Sequence, residues 1–435
     1  MDLINIVTTD LTAITRGRGV PLDALKEHAA TGCGWVPANS ALTPQDVIAD
    51  PNPWGSHGDL RLVPDLQSCV SVRSCDSTEP DLHFVHGNLL TLDGRYWDVC
   101  PRTLLVRELE YYSKTLGWQV YSAFEHEFTL SGLEGMAPSF SLQAQRAAGP
   151  FLSKLADALA DSGNEPETLL PEYGCHQYEV TCRPTFGLTS ADRAVNLREI
   201  VRDVARQLGL KASFTPQPSP GSVSNGVHLH LSFIDAEGQP VLPNRDNSEG
   251  LSSLGRHWAA GVLHFMPALC ALTAPSPVSY LRLKPHHWST AYACLGVRNR
   301  EAALRICPTT TLSNNSHERQ FNLEFRALDA TANPHLAMAA ILKAGRLGIE
   351  HQLELKACVD QDPDLLDSGQ REALGIHALP DSITEALTSL DSATALVNTL
   401  PEALLETYRA LKRQELDNVS ELDNDTLCRH YAEIY

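Results

Sequence analysis

A short stretch near the middle of the chain constrains its fold more than any other. Residues 225–232 alternate polar and apolar side chains with a period of two, which predicts a β-strand carrying His228, His230 and Ser232 on one face. An Asn-Gly turn signal opens this stretch, so the two imidazoles are expected where a loop enters a strand, a frequent place for ligand contacts. For one such strand alone, a polar face in contact with water is an equally good interpretation.

Acidic side chains recur on three further segments with a strand-like pattern. Two glutamates two residues apart on a strand share one face, and like charges that close are costly unless a cation lies between them. Carboxylates together with a histidine suit a hard divalent cation, Mg²⁺ or Mn²⁺, better than structural zinc. An exposed acidic edge is the alternative. The acids are Glu125 and Glu127 on the first segment, Glu172 and Glu179 on the second, and Glu324, with Arg326 on the same face, on the third.

The overall charge and the cysteines argue against several classes of protein. The 435 residues carry a formal net charge of −19, so there is no basic surplus for binding nucleic acid or an anionic membrane. Eleven cysteines without a CxxC pair indicate reduced thiols in the cytoplasm rather than a disulfide framework or a zinc site. The N-terminus lacks the layout of a signal peptide, and residues 258–275 fall short of a membrane span, which favours a buried helix.

Length and periodicity predict two domains. Residues 1–99 have the pattern of a small β-rich domain, with a strand at 3–7, a helix starting near Pro21 and loops between brief strands over 35–67. Residues 100–435 mix helices and strands without an internal repeat. Helices are predicted over residues 101–116, 191–208, 333–353, with Asn333 as N-cap, and 400–418, and an acidic loop-rich passage over 363–380.

Six motifs, in order along the chain, resemble those of the glutamine synthetase family. The resemblance is strong over residues 100–435 and weaker over the first hundred residues, where it rests on residues 9–11 and 59–65. The motifs lie at residues 124–130, 172–179, 226–232, 280–285, 298–305 and 324–334.

This resemblance implies an α+β fold. The N-terminal domain, residues 1–99, is expected to be β-grasp-like, and the catalytic domain, residues 100–435, to contain a curved antiparallel sheet with flanking helices. Family subunits form homo-oligomeric rings, hexamers or dodecamers, with active sites between neighbouring subunits. The implied enzyme is an ATP-dependent ligase of nitrogen metabolism in the cytoplasm, with glutamate and an amine as its small-molecule substrates.

The resemblance also implies a role for individual residues. ATP and divalent cations, Mg²⁺ or Mn²⁺, are the implied cofactors. One metal is assigned to Glu127, Glu172 and Glu179, and the other to Glu125, His228 and Glu324. Arg282, Arg326 and Arg300 are assigned to glutamate, Arg300 and Arg305 to the ATP phosphates, and His230 and Ser232 to the nucleotide.

The chemistry of these residue types agrees with the assignments. Joining a carboxylate to an amine is unfavourable in water, so the carboxylate must first become an acyl phosphate, with ATP as donor. Phosphoryl transfer depends on positioning and charge neutralisation, which divalent cations and nearby arginines provide. Arg298, Arg300 and Arg305 lie within eight residues, and a guanidinium group suits phosphate and carboxylate alike. Surface ion pairs in an acidic protein are the alternative for these arginines.

The chain departs from the family pattern on the amine side. The family holds ammonium with an acid in the N-terminal domain, whereas residues 35–40 contain none. A family glutamate that covers the site and helps to deprotonate ammonium is replaced by Trp288, and residues 222–224 replace a family contact to glutamate. We therefore expect an organic amine as acceptor. Trp288 would pack its carbon chain or hold its cation, with His287 or His286 as proton acceptor.

Other interpretations remain open at this level. The chain could be an ordinary glutamine synthetase that uses ammonia, or a non-catalytic structural or regulatory relative that kept the fold. A third alternative is transfer to an acid other than glutamate. Trp288 could also simply fill space at a subunit contact. A buried acidic cluster without its cations gives a scaffold no advantage, which disfavours the non-catalytic alternative.

Overall fold

The computed structural model describes residues 2–74, 78–244, 246, 249–287, 289–312, 314 and 316–435. Trp288, to which the sequence assigns an amine contact, lies outside the described residues. Two sheets organise the chain, one in its first hundred residues and a larger one in the remainder. The α+β class, with a β-grasp-like N-terminal domain and a sheet-based catalytic domain, is confirmed.

The described part of the N-terminal sheet has five strands in the order β2-β1-β5-β4-β3. The central strands β1 and β5 run parallel, and all other neighbours are antiparallel. The prediction of loops over residues 35–67 is wrong at its end, because the long strand β4 already starts at Leu60 and buries Leu60 and Leu62 on one face. The elements are β1 Leu3–Thr9, β2 Thr15–Pro21, α1 Leu25–Thr31, β3 Cys33–Trp35, β4 Leu60–Val72 and β5 Leu82–Thr91.

Among the residues that the structure describes, the catalytic-domain sheet has ten strands. Its main order is β15-β12-β13-β14-β11-β6-β8-β7, and β9 and β10 also pair with β6. Every pair is antiparallel except β12 and β13, which are parallel. The strands are β6 Gln119–Ser131, β7 Pro166–Pro171, β8 Gln177–Cys182, β9 Thr185–Phe186, β10 Lys211–Ser213, β11 Val227–Ile234, β12 Tyr292–Val297, β13 Ala302–Ile306, β14 Leu323–Leu328 and β15 His377–Ala378.

Helices pack on the buried face of this sheet, and the C-terminal part of the chain is also helical. The predicted helices are present as α2, α5, α10 and α14, within a few residues of their expected bounds. Helix α11 falls in the passage predicted to be loop-rich, where Asp367 and Gln370 form a capping box. The helices are α2 Pro101–Tyr111, α3 Leu142–Ala147, α4 Gly149–Asp161, α5 Leu188–Gln207, α6 Ser253–His264, α7 Met266–Thr273, α8 Ser279–Arg282, α9 His317–Gln320, α10 Pro334–Glu350, α11 Ser368–Leu374, α12 Ile383–Ser392, α13 Thr394–Val397, α14 Glu402–Val419 and α15 Asn424–Ile434.

The apolar stretch at residues 258–275 is buried, as predicted, but it forms two helices rather than one. Helix α6 ends at His264 and α7 starts at Met266, followed at once by Pro267, which cannot donate a backbone hydrogen bond inside a longer helix. Across the part of the chain that the structure describes, no helix is both long and apolar enough to cross a membrane.

Strand β6 shows how the catalytic domain separates its core from its open face. Phe124, His126 and Phe128 are buried and face the helical layer, where α5 packs on the strand. Glu125 and Glu127, one position away from each, point to the opposite, more open face. Burial, with the charge of Arg198, lowers the pKa of His126 to about 3, so this histidine is a neutral core residue.

Helices α6 and α10 cross behind the sheet, and at the crossing their backbones are in direct contact through glycines. A Cβ atom added to Gly261 of α6 would lie 2.6 Å from the Cα of Gly348 in α10. A Cβ atom added to Gly348 would likewise lie 2.6 Å from the Cα of Gly261. One turn away, the indole of Trp258 packs against Gly345 and occupies the space that a Cβ atom there would need. Since neither glycine leaves room for a side chain, the two helix axes approach more closely than ordinary packing allows.

A buried ionic network joins the N-terminal sheet to the catalytic domain. The guanidinium of Arg102, in α2, donates to both carboxylate oxygens of Asp192 in α5, at 2.9 and 2.8 Å. It also reaches Asp65 of β4 at 2.8 Å and Asn88 of β5 at 3.0 Å. His335 of α10 completes the network, with its Nε2 atom 2.8 Å from Oδ1 of Asp192.

Candidate active site

Strand register brings the predicted acids and histidines together on the open face of the catalytic-domain sheet. Side chains directly opposite one another on neighbouring strands are about 5 Å apart, which is close enough to share a ligand. The paired positions are Glu127 with Glu179 (β6 and β8), Glu125 with His228 (β6 and β11), His230 with Glu324 (β11 and β14), and Glu324 with Arg305 (β14 and β13). The site is therefore one row across five adjacent strands.

The first cluster in this row contains two carboxylates and two imidazoles. The Nδ1 atom of His228 lies 3.3 Å from Oε2 of Glu125 and 3.5 Å from Oε1 of Glu324. The Nε2 atom of His230 lies 3.2 Å from the other oxygen of Glu125. Ligand atoms of Glu125, His230 and Glu324 all fall within 4.8 Å of one another. The sequence assigns His228 to the metal and His230 to the nucleotide, whereas in the structure both border the same carboxylates.

The electrostatics of this cluster favour charged groups. Burial alone would raise the pKa of Glu125, but His230 and His228 hold it well below its usual range. Burial would likewise raise the pKa of Glu324, but Arg326 and the two histidines bring it down to about 2. Burial opposes a charge on His230, yet Glu125 raises the pKa of that imidazole well above its usual value. The two carboxylates are thus ionised at neutral pH.

The second cluster contains acids with little compensation. The backbone N–H of Gly226 donates to Oε2 of Glu127 at 2.6 Å, and Glu179 stands directly across the strand pair. Burial raises the pKa of Glu179 to about 9, and the neighbouring carboxylates act in the same direction. Burial and the charge of Glu127 raise the pKa of Glu172, just after β7, to about 7. Three acids that disfavour one another's charge are the arrangement that a bound divalent cation relieves.

Both clusters fit a hard divalent cation such as Mg²⁺ or Mn²⁺. Carboxylate oxygens with one or two imidazoles are the ligands that these ions accept. The Nε2 atom of His228 is buried and has no hydrogen-bond partner in the portion of the chain that is described. Glu125, His228 and Glu324 would hold one ion, and Glu127, Glu172 and Glu179 the other.

The arginines assigned to substrates occupy different depths. Arg326 is buried and pairs with Glu324, and Nη1 of Arg305 donates to the same carboxylate at 2.7 Å. Arg282 is also buried and donates to the backbone carbonyls of Leu328 and Arg326, at 3.2 and 3.3 Å. Arg300 is exposed in the turn between β12 and β13, and its charge lowers the pKa of Glu172, which places it at the cleft.

Gly226 sits where the chain enters β11, against the guanidinium of Arg282. A Cβ atom at this position would overlap the Arg282 guanidinium. The same residue supplies the N–H that holds Glu127. Gly226 therefore positions both a predicted metal ligand and a predicted substrate arginine, and only glycine leaves the space for both.

A cavity of about 480 Å³ opens beside the first cluster. Cys307 connects the two, because its Sγ atom lies 3.6 Å from Glu324 and 3.7 Å from Nδ1 of His230. The walls include the apolar side chains of Pro243, Ile306 and Phe321. Ser232 lies on the same strand face as His230, further from the acids. A partly apolar cavity beside a cluster of metal-type ligands is suited to a nucleotide whose phosphates would reach toward that cluster.

The structure places His286 and His287 in the loop between α8 and β12. His286 is exposed, with Nε2 3.3 Å from Oδ2 of Asp364 and Nδ1 3.6 Å from Oδ2 of Asp362. The backbone carbonyl of His287 accepts from the Ser224 hydroxyl at 3.4 Å. This contact ties together the two segments that depart from the family pattern. The acid-free turn Pro37–Ala41 packs against α14 of the same chain.

Three residues of the site carry no role in the sequence prediction. The side-chain oxygen of Asn322 lies 2.9 Å from Nδ1 of His230, Cys307 bridges the cluster and the cavity, and Glu301 follows Arg300 in the turn. Asn322 could have been found by extending the strand alternation of Glu324 by two residues. Cys307 follows the end of β13, and nothing in its local pattern distinguishes it.

Comparisons with known proteins cover the whole chain. A family model described as the glutamine synthetase catalytic domain matches residues 98–431, and one described as the glutamine synthetase N-terminal domain matches residues 1–97. A solved structure described as a novel glutamine synthase homolog superimposes with a TM-score of 0.93 and 57% identity, covering 100% of this chain and 98% of that one.

Two curated relatives differ in the product that their names state. A γ-glutamylpolyamine synthetase of Streptomyces coelicolor is 32% identical over 432 residues, which cover 97% of this chain and 91% of that protein. A glutamine synthetase of Pyrococcus abyssi is 30% identical over 440 residues, covering 96% and 91%. The similarity of this chain to the two is nearly equal, so identity alone does not select the acceptor.

Proposed function

This chain belongs to the glutamine synthetase family, and we propose that it joins the γ-carboxylate of glutamate to an organic amine, with ATP as phosphoryl donor and γ-glutamyl phosphate as intermediate. Members of this family are ATP-dependent ligases that use divalent metals. The observation that carries the ligase function is the row of six metal-type ligands, flanked by Arg305 and Arg326, on one sheet face beside a cavity.

The proposed roles of the residues follow from charge. When bound, the divalent cations supply neutralisation of the phosphate oxygens during transfer. Arg300, exposed at the cleft, and Arg305 would stabilise negative charge on the transferred phosphoryl group. Arg326 and Arg282 would hold the carboxylates of glutamate. His230, which Cys307 links to the cavity, and Ser232 on the same strand face would contact the nucleotide.

The acceptor side supports an organic amine. The acid-free turn Pro37–Ala41 and the loop that carries His286 and His287 replace two acids that the family pattern keeps for ammonium. Trp288, in the same loop, would add an apolar face for the carbon chain of the amine. The similarity to a protein named γ-glutamylpolyamine synthetase is in keeping with this.

Family members are generally oligomeric, and we propose a homo-oligomeric ring, a hexamer or dodecamer, with each site completed by a neighbouring subunit. We place the enzyme in the cytoplasm, where ATP and glutamate are available. The residue boundaries of its two domains, 1–99 and 100–435, are proposed on the same basis.

A competition assay tests the function. The purified protein is supplied with ATP, Mg²⁺ and glutamate, and phosphate release is measured with ammonium, alkylamines, arylamines and polyamines at equal concentration. We expect at least one organic amine to be used better than ammonium. Preference for ammonium over every amine would make the protein a glutamine synthetase, and glutamate-independent or absent phosphate release would contradict the ligase proposal.

A further inference from the structure

We propose that Glu301 binds the ammonium group of the incoming amine and accepts its proton; this inference rests on the proposed function. An alkylamine has a pKa near that of lysine, about 10, and is therefore protonated at neutral pH. It must lose a proton before it attacks the acyl phosphate, so a ligase for amines needs a carboxylate or another base beside the γ-carboxylate of the donor.

The turn that carries Glu301 is fixed against the loop between α8 and β12. The Thr290 hydroxyl donates to the backbone carbonyl of Glu301 at 2.9 Å. Asn299 accepts from the Glu301 N–H at 3.0 Å. The backbone N–H of His286 also acts on the Glu301 carboxylate, in the direction that lowers its pKa. Glu301 thus lies against the loop between α8 and β12, which also carries His286 and His287.

The surroundings of Glu301 connect it to the donor site. The charges that act on its carboxylate are those of Asp362, His286 and Arg326, and Arg326 is one of the arginines proposed to hold glutamate. Glu301 is only partly buried, so a solvent-borne amine has access to it. Burial raises the pKa of Glu301 above its usual value, which brings a carboxylate closer to the strength that proton transfer at neutral pH requires.

The other carboxylates of the site have different partners. Glu125 and Glu324 are bound by histidines and arginines, and Glu127 accepts from the Gly226 N–H. Glu172 and Glu179 belong to the second metal-type cluster. Glu301, by contrast, is acted on by the charges of both Arg326 and His286, the latter in the loop between α8 and β12.

The proposed step balances as follows. The ammonium group gives one proton to the Glu301 carboxylate, and the freed lone pair attacks the γ-carbonyl carbon. A carbon–nitrogen bond forms while the carbon–oxygen bond to phosphate breaks, and inorganic phosphate leaves. The second proton on nitrogen departs with phosphate, and Glu301 returns its proton to water.

The test compares Glu301→Gln with the wild type on two kinds of acceptor. Glutamine has nearly the same shape as glutamate and keeps one side-chain oxygen, but it accepts no proton at neutral pH. Propylamine and 1,4-diaminobutane are protonated at neutral pH, whereas hydroxylamine is not and traps the acyl phosphate directly as a hydroxamate. We expect amide formation with the two alkylamines to fall roughly 100-fold or more, with hydroxamate formation near the wild-type rate.

Asp381→Asn is the matched control. Asp381 is an exposed acid that pairs with Lys284 of the same loop, so its removal changes the charge near the site without touching the turn. This variant should behave like the wild type with all three acceptors.

Two results overturn the inference. Glu301→Gln could retain full activity with alkylamines, or it could lose hydroxylamine and alkylamine activity equally, which would assign Glu301 a structural role. Failure of the proposed function looks different, because the wild type itself would then form no glutamyl hydroxamate from glutamate and ATP.

Discussion

At the scale of single residues, the site is defined by how its carboxylates are compensated. Glu324 is held between Arg305 and Arg326 and has a lowered pKa, whereas Glu179 and Glu172 face other acids and have raised ones. The first cluster is thus paired with cationic side chains of the protein. The second cluster has little such pairing, and a bound cation would supply the missing positive charge. The protein itself therefore neutralises part of the negative charge at the first proposed metal position, and much less of it at the second.

Glu127 tests the metal assignment. Glu127→Gln should nearly abolish ligase activity at saturating Mg²⁺, because losing a charged ligand removes several kcal/mol of transition-state stabilisation, about a thousandfold or more in rate. The measurement is kcat/KM for glutamate. Glu110→Gln, an exposed acid paired with Lys114, is the control and should be silent. Normal turnover of Glu127→Gln would show that this acid holds no essential ion.

Arg326 tests the carboxylate donor. Arg326→Lys keeps the positive charge but loses the planar fork that binds a carboxylate through two hydrogen bonds, so the KM for glutamate should rise at least tenfold. Steady-state kinetics at saturating ATP measure it. An unchanged KM, or a stronger preference for another acid in the wild type, would remove glutamate as the donor.

At the scale of elements, strand faces could be predicted from the sequence but strand partners could not. Alternation along β6 and β11 placed Glu125 and Glu127 on one face, and His228 and His230 likewise, because side chains alternate along any strand. That Glu127 meets Glu179 depends on the antiparallel register of β6 and β8, which long-range packing decides.

At the scale of elements, predictions failed where strand pairing outweighed a local sequence signal, or where a local signal was not recognised. A run of Pro, Asn and Gly hid the start of β4, whose pairing with β5 over residues 60–64 and 69–72 outweighs a proline at position 64, next to the irregularity in the register. The capping box before α11 was a readable signal inside an acidic passage. Glu301 was beyond sequence reasoning, because its role depends on a loop that approaches it from another part of the chain.

Gly226→Ala tests how strand entry positions the site. The added methyl group must displace Arg282 or the backbone, so the KM for glutamate should rise and kcat should fall, with roughly 1–3 kcal/mol lost in stability from overpacking. Kinetics and thermal unfolding measure the two effects. Gly94→Ala, at a turn with open space around it, strains only its own backbone and is the control for stability. Wild-type kinetics for Gly226→Ala would contradict the proposed coupling.

At the scale of the whole molecule, one buried arginine joins the two sheets. Arg102→Met leaves Asp192 and Asp65 without their shared cation, and breaking such a pair from one side typically costs about 3–5 kcal/mol. The variant should unfold at lower urea concentration, and its N-terminal domain should become sensitive to protease first. Arg107→Met, at an exposed pair with Asp98, should change neither. Equal stability of the two variants would show that the network contributes little.

The same network predicts a dependence of stability on pH. Burial lowers the pKa of His335 to about 4, below its ordinary 6.5. The unfolded chain therefore takes up a proton between these values while the folded protein does not, so stability is full above about pH 6.5 and falls as pH decreases toward 4. Between pH 7 and pH 5, the free energy of unfolding should fall by about 2 kcal/mol more in the wild type than in His335→Gln. Urea unfolding of both proteins, at the same protein concentration and at several pH values, measures this difference. Parallel curves of unfolding free energy against pH would contradict the assignment.

The glycine crossing of α6 and α10 has a consequence for anyone who would redesign the acceptor. Because Gly261 and Gly348 touch through their backbones, the layer behind the sheet has no slack to absorb a shifted strand. Randomised libraries that vary this layer should yield mostly unfolded clones, although it touches no substrate. Variation for new amines belongs on the open side, in the loop between α8 and β12 and in the segment around Asp362 and Asp364 that meets it.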